Sequence, residues 1–111
     1  MAKRKAPMGA TAIERPEFGS PHARDMLNGM SVEELADVTN ALMDAIMVIE
    51  RAMGKARPAV FMYLDVVRVA LEREVDRSEH DLGLRCAATM TEARIQAEIA
   101  IRRAVQRGER R

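Results

Sequence analysis

One cysteine, two histidines, one tyrosine, two phenylalanines and no tryptophan are all that this 111-residue chain holds of the side chains that most often carry chemistry or fill large cores. The lone Cys86 excludes an intramolecular disulfide framework and any zinc site built from several cysteines. Phe18, Phe61 and Tyr63 are the whole aromatic set. A core therefore has to come from Leu, Ile, Val, Ala and Met, which suits helices better than a sheet. No apolar run approaches the roughly 18 residues that cross a bilayer. A Gly-rich phosphate loop, a nucleophile elbow and a paired Cys and His pattern are all missing. His22 lies near the start, and His80 lies in the charged run from Glu72 to Asp81. That run has no second His, no Glu-x-x-His spacing and no Gly-containing calcium loop. The chain is expected to be no enzyme and to hold no metal or cofactor.

Charge is balanced overall at +1 but unevenly distributed. Residues 31 to 50 hold Glu33, Glu34, Asp37, Asp44 and Glu50 without a Lys or Arg, whereas Arg102, Arg103, Arg107, Arg110 and Arg111 crowd the last ten positions. Lys3, Arg4 and Lys5 make the beginning basic as well. No apolar segment of signal-peptide type follows them, so the cytoplasm is the expected compartment. Fifteen Arg against three Lys point to a GC-rich bacterial or phage coding sequence.

Periodicity then supplies the elements. Residues 1 to 19 carry Pro7, Gly9, Pro16 and Gly19 without hydrophobic repeat and read as a disordered or loosely packed arm. Ser20-Pro21 and Asn28-Gly29 bracket a short helix or linker over 20–29. Ser31 and Glu34 form a capping box, after which Leu35, Val38, Leu42, Ala45, Ile49 and Ala52 recur at three and four residue steps until Gly54. Pro58 opens a second helix to about Arg77 that is apolar on nearly every side. Val60, Tyr63, Leu64, Val67, Ala70 and Leu71 share its broad face, and Phe61 falls among Asp65, Arg68 and Glu72 on the polar one. The third helix starts near residue 79, where Ser78 and Asp81 offer a weak cap, or only after Gly83. Along it Cys86, Met90, Ala93, Ala97, Ala100 and Ala104 make a seam of small side chains, and Leu84, Ala88, Ile95 and Ile99 make a second stripe about half a turn away. Cys86 reads as a small buried hydrophobe on that seam.

The expected fold is all-α, with three main helices over about 32–53, 58–77 and 79–107, a helical hairpin plus a third helix. A short N-terminal helix precedes this domain of residues 30–111. Two-sided apolar helices need more cover than three helices supply, so the bundle is expected to be a homodimer, self-associating through Cys86, Met90, Ala93, Ala97, Ala100 and Ala104. Flexible thioethers repack against varied surfaces, which selects Met43, Met47 and Met62, together with Phe61, as contacts for a protein partner. The resulting expectation is a small regulator that binds another protein, for example a transcription regulator, and blocks its self-association surface. The alternative is a nucleic-acid accessory protein of phage packaging or plasmid maintenance, using Lys3, Arg4, Lys5, Arg102, Arg103 and Arg107 on phosphates. A secretion or assembly chaperone is a third reading.

Overall fold

The computed structural model describes residues 15–109, in which four helices follow one another and no strand occurs. They are α1 (Pro21–Asn28), α2 (Val32–Met53), α3 (Pro58–Leu84) and α4 (Met90–Glu109). Each start has a local cause. The Ser20 hydroxyl accepts from the Ala23 amide at 3.2 Å ahead of Pro21, which needs no amide partner. At α2 the Ser31 hydroxyl accepts from the Glu34 amide (3.1 Å) and the Glu34 carboxylate accepts from the Ser31 amide (2.9 Å), closing the capping box.

Only Gly54 to Arg57 separate α2 from α3, so the two helices pack antiparallel. The amides of Gly54, Lys55 and Ala56 donate to the carbonyls of Glu50, Ala52 and Met53, which satisfies the end of α2, and Pro58 restarts the helix. Helix α4 returns along the pair, parallel to α2: Gln96 donates to the Leu82 carbonyl, Arg103 reaches Glu79, and Arg102 reaches Asn40.

The core lies where all three long helices overlap. Leu35, Met43, Ile46 and Val75 are fully enclosed, joined by Val32, Ala36, Leu82, Ile99 and Leu27 of α1. Two hydroxyls share this interior. Thr39 and Ser78 are 0% exposed and 2.8 Å apart; Thr39 also lies 2.8 Å from the Leu35 carbonyl and Ser78 lies 3.1 Å from that of Val75. Each hydroxyl has one proton, so only two of these three contacts are hydrogen bonds at any moment, and the bond between the hydroxyls forms at the expense of one to a carbonyl.

The molecule is a plate. Its extents are 54 × 48 × 16 Å and its radius of gyration is 17.4 Å, against about 12–13 Å for a compact domain of this length. No helix among the described residues is long and apolar enough to cross a membrane.

Two expectations about the helices need correction. The second long helix does not end near Arg77 but runs to Leu84, because Val75, Ser78 and Leu82 continue its inner face and are all buried. Ser78 is thus an interior residue rather than a cap, and the third long helix begins neither at residue 79 nor just after Gly83 but at Met90. Its cap is Thr89, whose hydroxyl accepts from the Glu92 amide at 3.1 Å while the Glu92 carboxylate accepts from the Ala88 amide at 2.8 Å. Thr89 and Glu92 have the Ser/Thr-x-x-Glu spacing of a capping signal, and this is the pair that the weaker Ser78 and Asp81 pattern obscured.

The shared protons predict coupling. Thr39→Val or Ser78→Ala alone is expected to cost about 1–2 kcal/mol, and the double variant less than the two combined, by about 0.5–1.5 kcal/mol. Urea unfolding of the four proteins measures the cycle. Strict additivity would mean that the hydroxyls do not share a bond.

Candidate interaction surfaces

Helix α3 is longer than the elements that cover it. Its second half packs in the core, but in its first turns Val60, Phe61, Met62, Tyr63 and Val66 are 49, 44, 71, 70 and 67% exposed. Across the turn, Met47 and Val48 of α2 are also exposed. The free end of the hairpin therefore carries large apolar side chains on both helices. Tyr63, expected on the broad inner face, points outward; Leu64, Val67 and Leu71 are half-buried.

Of the four residues expected to contact a partner, Met47, Phe61 and Met62 lie on this surface. Met43 does not. It is 0% exposed and sits at the centre of the core, because α2 is covered on two sides, by α3 and by α4. The buried line of α2 bisects those neighbours through Val32, Leu35, Ala36, Thr39, Met43 and Ile46. The periodic seam ending at Ala52 follows only one edge of that line. Phe61 begins the polar stripe of α3, where Arg68 donates to Asp65 (2.6 Å) and Glu72 (3.0 Å). The bond donated to Asp65 raises the Arg68 pKa above its usual value, against a smaller lowering by burial, so the guanidinium stays charged.

Arg102, Arg103 and Arg107 are occupied from within. Arg103 is 3% exposed and donates to Glu79 (3.1 Å), Gln106 (2.9 Å) and Asp76. Arg102 donates to Asn40 (2.6 Å) and Asp44, and Arg107 shares Glu79 at 3.5 Å. Arg103 is thus buried and paired with two carboxylates of its own chain. The acidic stretch of α2 and the basic end of α4 meet inside one chain. Lys3, Arg4, Lys5, Arg110 and Arg111 lie outside the described residues.

The residues expected to mediate self-association all face solvent. Ala93, Ala97, Ala100 and Ala104 are exposed, and Met90 is 83% exposed. It is the second stripe, through Ile95 and buried Ile99, that packs on α2. Cys86 is an exposed residue of the link between α3 and α4, not a buried hydrophobe on a helical seam.

Arg85, in the same link, performs a structural task that sequence reasoning missed. Its guanidinium donates to the carbonyls of Leu27 (3.0 Å), Asn28 (3.0 Å) and Met30 (3.1 Å), closing the C-terminal end of α1. No local pattern signals a contact 55 or more residues away.

Between α2 and α4 an open cleft of about 630 Å³ is lined by Glu33, Asp37, Asn40, Glu98 and Arg102 beside Ala36, Ile95 and Ile99. Among the described residues, no group of three or more His, Cys, Asp or Glu is placed to hold a metal ion. No protein-family model matches the chain, and no curated protein or solved structure matches it.

Arg103 generates a stability prediction. Arg103→Ala is expected to lower the unfolding free energy by about 1–3 kcal/mol, less than the 3–5 typical of breaking a wholly buried pair, since Asp76 keeps its water at 66% exposure. Arg103→Met, which keeps the volume, is expected to cost less. Urea denaturation of both variants tests the order; an Ala variant as stable as the parent would show the ion pairs to be energetically idle.

Proposed function

We propose that this chain is a small non-enzymatic helical regulator that binds another protein through the free end of the α2–α3 hairpin and covers a surface its target uses to self-associate, as an anti-activator does to a transcription regulator. The observation that carries this reading is the cluster Val60, Phe61, Met62, Tyr63 and Val66, none less than 44% exposed. Isolated apolar residues on a surface are ordinary, but five exposed large apolar side chains within seven residues of one helix end are not, and large exposed apolar patches mark interaction sites. Met62 and Met47 add adaptable thioethers, and Phe61 and Tyr63 add aromatic anchors of the kind that dominate binding energy. A helical target segment laid against such a hairpin end completes a bundle in the way amphipathic helices fill hydrophobic grooves.

The nucleic-acid reading loses ground on the same geometry. A phosphate competing for Arg102, Arg103 or Arg107 has to displace Asp44, Asp76 or Glu79 from them. Binding through the basic ends alone is salt-sensitive, since it works by counterion release, whereas an apolar contact tolerates salt.

The test starts with affinity capture at high salt and mass-spectrometric identification of what is retained. Affinity is then measured with the purified target. Met62→Ser and Phe61→Ser are expected to weaken binding about tenfold or more each while leaving helicity unchanged, because both side chains are outside the core. Leu84→Ser, exposed at the opposite end of α3, serves as the control and should bind normally. Undiminished binding by the Met62 and Phe61 variants, or a complex with nucleic acid that salt disrupts and these substitutions leave intact, would overturn the proposal.

A further inference from the structure

The outer face of α4 is a second uncovered surface, separate from the hairpin end. Opposite the packed line of Ile95, Ile99 and Arg103, it presents Met90, Ala93, Ala97, Ile101, Ala104, Val105 and Gly108, with Arg94 the one charged residue in its middle. Met90, Ile101 and Val105 are 83, 64 and 55% exposed, and the small residues between them are exposed as well. Gly108 has nothing within 4 Å of where a Cβ would stand, so packing within the protomer does not require its missing side chain.

We propose that this face is the contact between two copies of the chain, with the α4 helices antiparallel about a two-fold axis. Size complementarity selects the register. When Ala97 of one protomer lies level with the partner's Ile101, Met90 lies level with the partner's Gly108, so each central large side chain meets a small one across the axis. Ala93 then lies beside the partner's Ala104, which lets the backbones approach closely, and the Arg94 stem lies beside the partner's Val105. Charge selects the direction. A parallel pair sets the two Arg107 ends side by side, whereas the antiparallel pair separates them and lays the two helix macrodipoles head to tail. A contact along the whole of α4 buries roughly 600 Å² per protomer, the lower end of the range for a specific dimer. Because the same side chains are exposed in the protomer, the dimer forms without rearranging the core.

Sedimentation equilibrium of the full chain at micromolar concentrations is expected to give twice the chain mass. Ala97→Arg is expected to halve that mass with helicity retained. Gly108→Leu is expected to weaken dimerisation at least tenfold while leaving the protomer equally or more helical, a combination that a structural role for Gly108 does not produce. The direction is read by oxidising Cys86→Ser proteins that carry one new cysteine each. A mixture of Ala97→Cys and Ile101→Cys should cross-link to each other faster than either does to itself. A monomeric wild type, a dimer that survives Ala97→Arg, a dimer lost instead on Met62→Ser, or preferential self-cross-linking at both positions would overturn the proposal.

Discussion

At the centre of the antiparallel α2–α3 pair, the hydroxyls of Thr39 and Ser78 meet with no access to water. An unmatched hydroxyl there costs more than a matched pair returns, so this contact tolerates neither a slip along the helices nor a rotation of either one. It fixes which face of α3 turns inward and at what height. Leu35, Met43, Ile46, Val75 and Leu82 then close around it. Once that height is fixed, the four-residue turn after α2 carries the first half of α3 past the region where α4 lies. The exposed Phe61, Met62, Tyr63 and Val66 are a consequence of that geometry as much as of their own hydrophobicity.

The charged groups reinforce the same arrangement. Acid in α2 and at the second half of α3 is matched by Arg102, Arg103 and Arg107 along α4, which orients α4 parallel to α2. Arg85 ties the short α1 to the link that precedes α4. Long guanidinium side chains serve here as cross-braces in a thin plate whose apolar core is small. They satisfy carbonyls and carboxylates that a thicker protein covers with further helices. Arg102, Arg103 and Arg107 are spent in this way on carboxylates of their own chain.

That plate leaves two apolar regions open, the hairpin end and the outer face of α4. They differ in kind. The hairpin end combines aromatic rings with thioethers and no regular spacing, which suits a partner of different shape. The face of α4 is regular, with small and large residues alternating along a straight helix, which suits an identical copy. The two surfaces use different residues, so one chain has room for both contacts at once.

Local sequence alone determined the helices, because their causes are local: the Ser31 and Glu34 capping box, the Pro58 start and the Gly54 stop act within a few residues, and the three to four residue apolar spacing marks each body. Where two local signals competed, at Ser78 with Asp81 and at Thr89 with Glu92, the decision was tertiary. Ser78 can stay helical because Thr39, 39 positions earlier, gives its hydroxyl a buried partner. Burial was likewise decided by neighbours. Met43 is interior since α2 touches two helices rather than one, the alanine seam of α4 is exposed since Ile95 and Ile99 turn inward, and Cys86 is exposed since the helix begins after it. Charge partners separated by 24 to 58 residues, such as Arg103 with Glu79 and Arg102 with Asp44, leave no trace in local pattern. Periodicity shows that a helix has an apolar face; only the positions of the other helices decide which face is covered and which remains open for a partner.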